Sequence, residues 1–147
     1  MTTIKYTIHR FTGEYSFLSN FYPQPVLYED VWYMTVEHAY HAAKTLDPTQ
    51  REKIALMPHA GDAKSFGQSI ILREGWNDLR VPVMALLLDQ KFESGSLLAL
   101  KLLDTYPKKL IEGNTWGDTF WGMCNGIGSN ELGKLLMERR AVLRKGK

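Results

Sequence analysis

The hydrophobic period of the chain changes from strand-like to helical near Thr35, and that change does most to limit the fold. Before it, Ile4-Lys5-Tyr6-Thr7-Ile8-His9 alternates apolar and polar residues as a strand does. Val26-Leu27-Tyr28 and Val31-Trp32-Tyr33, split by Glu29-Asp30, have the form of a short hairpin. Gly13 turns the chain into Tyr15-Ser16-Phe17-Leu18, and two prolines exclude a helix from Ser19-Asn20-Phe21-Tyr22-Pro23-Gln24-Pro25. After Thr35 the pattern is helical. Thr35 fits an N-cap with His38 at N3, and its helix is expected to run to about Leu46, where Asp47-Pro48 stops it and starts another. Further helices are expected over Pro48 to Ala55, Ala60 to Ile70, Asp78 to Lys91, Ser96 to Leu103, and from Ser129 or Asn130 to about Leu143. With 147 residues and no repeat, linker or low-complexity tract, the chain reads as an α+β fold. The expectation is one mainly helical domain with a small N-terminal antiparallel β element.

Composition narrows the function classes. The chain is 44% hydrophobic and 23% charged, which predicts an ordinary core, and its net charge of only +2 favours a small substrate. Basic residues cluster only at Arg139, Arg140, Arg144, Lys145 and Lys147, where they complement a helix C-terminus or touch phosphates. No apolar run approaches the roughly 20 residues that span a bilayer, no charged-then-apolar leader opens the chain, and the single Cys124 cannot form an internal disulfide. A cytoplasmic protein without membrane contact is expected. There is no phosphate-cradling P-loop, no dinucleotide fingerprint, no His-Glu-x-x-His metal spacing and no Gly-x-Ser-x-Gly elbow. Neither cofactor nor metal is expected, which leaves acid/base or lysine chemistry.

Three places carry suitable residues. On the helix after Thr35, Val36, Ala39, Tyr40 and Ala43 share a core face, while Glu37, His41 and Lys44 lie within about 60° of one another on a neighbouring flank. Glu37 and Lys44 are then roughly 10 Å apart along the axis, enough to hold a sugar between them. The same flank is equally what a solvated helix face looks like, and His38 fits a partly buried structural histidine. In the loop at Ser19, Asn20 offers a donor and an acceptor and Phe21 a stacking face, although both also suit plain turn chemistry and packing. From Glu112 to Gly122 the chain has no helical period. There Trp116, Trp121, Glu112 and Asp118 are fit to wall and polarise a pocket, with Gly117 and Gly122 admitting a close ligand, or simply to pack.

Taken in order, these segments resemble the NADAR (YbiA-like) family. The resemblance runs from Phe17 to Arg140. It rests on Phe17-Leu18-Ser19-Asn20-Phe21-Tyr22-Pro23, on Val36-Glu37-His38-Ala39-Tyr40 with Lys44, and on Ala63-Lys64 before Gly67. It continues through Trp76, Arg80, Lys91-Phe92, Leu110-Ile111-Glu112, Phe120-Trp121-Gly122 and Gly128-x-Asn130-x-Leu132-Gly133. The residue after Tyr40 departs from the family pattern, with His41 where Gln is usual. The resemblance implies an N-glycosidase that hydrolyses a ribose–nitrogen bond in a small phosphorylated N-riboside of early riboflavin synthesis. A second branch removes ADP-ribose from guanine bases and so meets nucleic acid, and a non-catalytic ADP-ribose-binding module is a third possibility. On this reading Glu37 is the catalytic carboxylate and Lys44 a Schiff-base nucleophile or a phosphate-binding cation. Asn20, Phe21, His38, Glu112, Trp116, Trp121, Gly122 and Asn130 line the substrate, and Lys64 and Arg80 bind phosphate.

Overall fold

The computed structural model describes residues 6–146. Helices make up about 49% of the described residues and the strands are short, giving an α+β fold. Asn20–Lys91 forms one compact unit, and the chain on either side of it forms the other.

In the Asn20–Lys91 unit, β2 (Val26–Tyr28) and β3 (Val31–Tyr33) pair antiparallel, with Leu27 opposite Trp32. The expected hairpin therefore forms, and Glu29 and Asp30 take the positive φ values of its tight turn. The chain then enters α1 (Val36–Ala42), which is surrounded by β2, β3, α2 (Pro48–Ala55), α3 (Ala60–Gly67) and α4 (Trp76–Lys91). Thr35 caps α1 as expected. Its Oγ1 accepts from the His38 backbone N–H at 3.1 Å, and its hydroxyl also meets His38 Nδ1 at 2.7 Å. Asp47 accepts from Thr49 N–H with Pro48 at the first helical position, so α2 starts where the sequence places it.

α4 starts two residues before the expected Asp78, and the C-terminal helix runs two beyond Leu143. Two helices stop three or four residues short of expectation, both through bonds that local sequence does not show. α1 stops at Ala42 rather than near Leu46 because three successive carbonyls beyond it are taken by other donors. The Arg73 guanidinium donates to Ala43 O at 3.4 Å, Arg73 N–H to Lys44 O at 2.8 Å, and Arg51 Nε to Thr45 O at 2.8 Å. α3 ends at Gly67 rather than Ile70, where the Ser69 hydroxyl and N–H both turn back to Phe66 O.

In the other unit, β1 (Thr7–Ile8) lies parallel to β4 (Lys109–Leu110), and β5 (Gly113–Asn114) parallel to β6 (Met123–Cys124). Ile4 and Lys5 of the expected first strand lie outside the described residues. A 3-10 turn at Gly13–Leu18 interrupts what the sequence reads as mostly β, and it buries Phe17 and Leu18. Ser96 caps α5 (Leu97–Asp104), and α6 (Glu131–Lys145) buries Leu132, Leu136 and Leu143 at helical spacing. The basic cluster is largely consumed by this packing. Arg140 donates to Thr105 Oγ1 and Lys108 O at 2.8 Å each, Arg139 donates to Phe92 O, and the Arg144 guanidinium sits 3.4 Å over the Tyr106 ring. Arg140 is 6% exposed, so it is a structural cation and not part of a solvated tail.

Thr35→Ala removes the cap of α1 and the hydroxyl partner of His38. It is expected to lower unfolding free energy by about 1–2 kcal/mol in urea titrations, with Thr35→Ser recovering most of the loss. Equal stability of the Ala and Ser variants would show that the cap contributes nothing.

Candidate active site

A helix with one wet face does not describe α1. All seven of its side chains are buried, Glu37 and His41 among them. A carboxylate removed from water has to be compensated, and at 2.7 Å His41 Nε2 does this for Glu37 Oε2 across one helical turn. Glu37 also lies in the first turn, where the helix dipole favours negative charge, and its N–H is accepted by Asn20 O at 3.1 Å. The Tyr40 ring stands edge-on to His41 with centroids 5.3 Å apart and packs against Trp76 at 5.4 Å.

Lys44 lies beyond the end of α1, not two turns along it. Its Nζ donates to Gly67 O at 3.3 Å and lies 5.5 Å from the Tyr40 ring centroid. Gly67 is the last residue of α3, so this carbonyl is one of the unpaired acceptors at the negative end of a helix dipole. Burial pushes the Lys44 amine below its ordinary value of 10.5, and the negative charge of Glu37 offsets part of that shift. Gly67 thus meets both halves of the site. A Cβ built there would fall 2.0 Å from His41 Nδ1, so only glycine lets α3 close on the imidazole.

The other sequence candidates of this unit take different positions. Asn20 is 8% exposed; its Nδ2 makes a 3.6 Å contact to Met84 Sδ, and its Oδ1 is buried without a hydrogen-bond partner. Phe21 is 45% exposed beside it in sequence. His38 is 1% exposed with both ring nitrogens engaged, Nε2 with Met57 O at 3.0 Å and Nδ1 with Thr35. Because a carbonyl can only accept, Nε2 carries the hydrogen and Thr35 donates to Nδ1. Burial holds this imidazole below its ordinary 6.5, against weaker pulls from Met57 O and Glu37, so its side chain is occupied in anchoring the start of α1. Lys64 and Arg80 are half-buried, on α3 and α4. A cleft of about 250 Å³ opens at the start of α4 among Leu72, Arg73, Gly75, Trp76, Asn77 and Asp78.

In the second unit, the segment from Glu112 to Gly122 is ordered by its own polar side chains. Asn114 Nδ2 donates to Asp118 O and Asn114 Oδ1 accepts from Asp118 N–H, while Asp118 Oδ1 accepts from the N–H groups of Phe120 and Trp121. Asp118 is therefore a turn-former. Asn130 holds a left-handed backbone with φ 53°; its Oδ1 accepts from Glu112 N–H and its Nδ2 donates to Leu110 O, at 3.0 Å each. The close approach expected at Gly122 is to protein and not to a ligand, since a Cβ there would meet Glu112 O at 2.0 Å. Trp121 is half-buried and edge-on to Phe120, and Trp116 is 60% exposed.

The sequence placed His41 on the flank of Glu37 without assigning it a role, and it gave no role to Gly67, Arg51 or Arg73. The i, i+4 spacing of Glu37 and His41 was the available signal for the first. Nothing local marks the other three, which reach the site through tertiary contacts. Among the described residues no cluster of His, Cys, Asp and Glu is arranged to hold a metal, and no helix is long and apolar enough to cross a membrane.

Fold and site together define a class: small α+β proteins with a buried carboxylate–imidazole pair and a desolvated lysine gathered around one short helix. The chain belongs to the NADAR domain family, whose model matches residues 8–144. The N-glycosidase YbiA of Escherichia coli strain K12 is 38% identical over 135 residues, which is 90% of this chain and 84% of that protein. An N-glycosidase of Nostoc punctiforme is 32% identical over 136 residues, covering 88% and 86% of the two chains. A riboflavin biosynthesis protein of Vibrio vulnificus is 35% identical over 132 residues, 88% of this chain but only 36% of that longer protein. The NMR structure of E. coli YbiA superposes with a TM-score of 0.83 at 34% identity, over 95% of this chain and 84% of that one.

The electrostatics of the pair can be read from Lys44. Its pH-dependent reaction with an amine-reactive label, followed by mass spectrometry, is expected to have a midpoint below 10.5. Glu37→Gln removes the negative charge that favours the ammonium, so it should move that midpoint lower still. An upward movement would show that Glu37 does not act on the amine.

Proposed function

We propose that this protein is an N-glycosidase that hydrolyses the ribose–nitrogen bond of a small phosphorylated N-riboside of the riboflavin-intermediate type. The observation that carries the reading is the convergence on Gly67 of the His41 ring that pairs with the buried carboxylate Glu37 and of the partly desolvated amine of Lys44. The N-glycosidase names of its relatives support it, and the riboflavin biosynthesis relative supports the substrate class.

Breaking a glycosidic C–N bond builds positive charge at C1′, and a carboxylate in a low-dielectric site stabilises that charge strongly. Glu37 fills this role. Desolvation raises the fraction of Lys44 in the neutral, nucleophilic form. The Lys44 amine attacks C1′ as the base leaves with a proton, and ring opening gives an imine. Water then hydrolyses the imine, returning the amine and free ribose phosphate. The Asn20 Oδ1, buried and without a protein donor, accepts from a ribose hydroxyl, and the exposed face of Phe21 stacks on the base. Lys64 and Arg80 bind the phosphate. A lone free cysteine fits a reducing compartment such as the cytoplasm.

Hydrolysis of ADP-ribosylated guanine in nucleic acid is the less favoured route. The basic C-terminal cluster was its one support in the sequence, and Arg139, Arg140 and Arg144 are engaged within their own unit.

Ribosylaminopyrimidine phosphate and ADP-ribosylated guanosine, incubated separately with the protein, should release base only from the first, as read by mass spectrometry. Binding of either compound without turnover would convert the reading into a non-catalytic nucleotide-binding module. Glu37→Gln is expected to lower kcat by about 100-fold or more with an unchanged circular dichroism spectrum. Borohydride added during turnover should trap a stable adduct on Lys44. An active enzyme that gives no adduct returns Lys44 to phosphate binding.

A further inference from the structure

His41 is bound on one side only. Its Nε2 lies 2.7 Å from Glu37 Oε2, whereas its Nδ1 is buried with no hydrogen-bond partner. The backbone of Gly67 covers that edge of the ring, so closely that a Cβ would stand 2.0 Å from Nδ1 and 2.5 Å from Cγ. The contrast with His38, three residues earlier and equally buried, is direct, because there both nitrogens have partners.

A neutral imidazole carries one N–H and one bare nitrogen, and the partner of each nitrogen decides which is which. An imidazolium, or a neutral ring with its hydrogen on Nδ1, would press an N–H against Gly67 with nothing to accept it. A buried donor left unmade in this way costs its full desolvation. The Nδ1–H form would also require Glu37 to be a protonated acid that donates to Nε2. With the hydrogen on Nε2 both difficulties vanish: the donor points at Glu37, and a bare nitrogen faces the glycine.

We infer that His41 is a positioning residue, held by Gly67 as the Nε2–H tautomer, which donates to Glu37 and keeps that side chain an ionised carboxylate. The inference rests on the reading of Glu37 as the catalytic carboxylate and narrows it. Glu37 enters the reaction without a proton, as stabiliser of positive charge at C1′ or as base toward water, and not as the acid that protonates the leaving group. His41 touches no reacting atom and acts through Glu37 alone.

The tautomer is measurable without substrate. Long-range proton–nitrogen spectra of the protein labelled with nitrogen-15 histidine, taken at neutral pH, should show His41 with a protonated Nε2 and a bare Nδ1. The His41 signals are assigned by their loss in His41→Gln. An Nδ1–H ring, or an imidazolium, overturns the inference. In kinetics, His41→Met, which has no donor, is expected to lower kcat by about 10–100-fold with KM within about 2-fold, an effect of the size seen when a hydrogen-bonded support is removed from a reactive ligand. His41→Gln, which restores a donor on the same turn, should recover most of that loss. Equal losses in two folded variants would mean that the ring serves only to fill space. The two readings fail separately. A fully active Glu37→Gln removes Glu37 from catalysis and takes the kinetic half of this inference with it. An inactive Glu37→Gln beside an Nδ1–H His41 leaves the function standing and refutes the positioning role.

Discussion

A carboxylate can be buried only if its compensation is buried with it. Around α1 this requirement organises the Asn20–Lys91 unit. Glu37 needs His41, and His41 needs a neighbour thin enough to lie against its ring, which fixes the end of α3 at a glycine. The carbonyl of that glycine is in turn the acceptor for Lys44. Thr35 and His38 satisfy one another and Met57 O, so the start of the same helix is closed by a second internal network. The site follows from a polar helix being packed on every side and having to settle each polar group from within.

That principle separates what was legible in the sequence from what was not. Helix starts were legible because their signals are local: a hydroxyl or carboxylate one turn before its amide partner, as at Thr35, Asp47 and Ser96. The hairpin of β2 and β3 was legible for the same reason. The end of α1 was not, because Ala43, Lys44 and Thr45 could as well have continued the helix. Their carbonyls are claimed by Arg51 and Arg73, which no short-range rule connects to them. Lys44 accordingly leaves the geometry that helical spacing assigned to it, although it stays in the same network as Glu37.

The amphipathic reading of α1 failed in an instructive direction. Spacing groups Glu37 with His41 correctly, but it supplies only angles around an axis and leaves open whether water or protein stands on that side. Here five elements cover the helix and no side is left to solvent. The aromatic and glycine-rich segment shows the converse. Asp118 and Gly122 looked like ligand chemistry, yet their polar atoms and close contacts are spent, together with those of Asn114, on shaping the loop itself.

The Arg51 and Arg73 bonds have a mechanical meaning for Lys44. Both arginines hold this stretch by its main chain, and neither touches the amine. On the proposed imine route, anchorage and reactivity thereby fall to different atoms of one residue. A lysine fixed through its own side chain would have to release its support in order to react. This one gives up a single 3.3 Å bond to Gly67 and keeps its backbone fastened. On that imine route, the amine would carry the attached sugar while the bonds to the Ala43, Lys44 and Thr45 carbonyls hold the backbone beneath it.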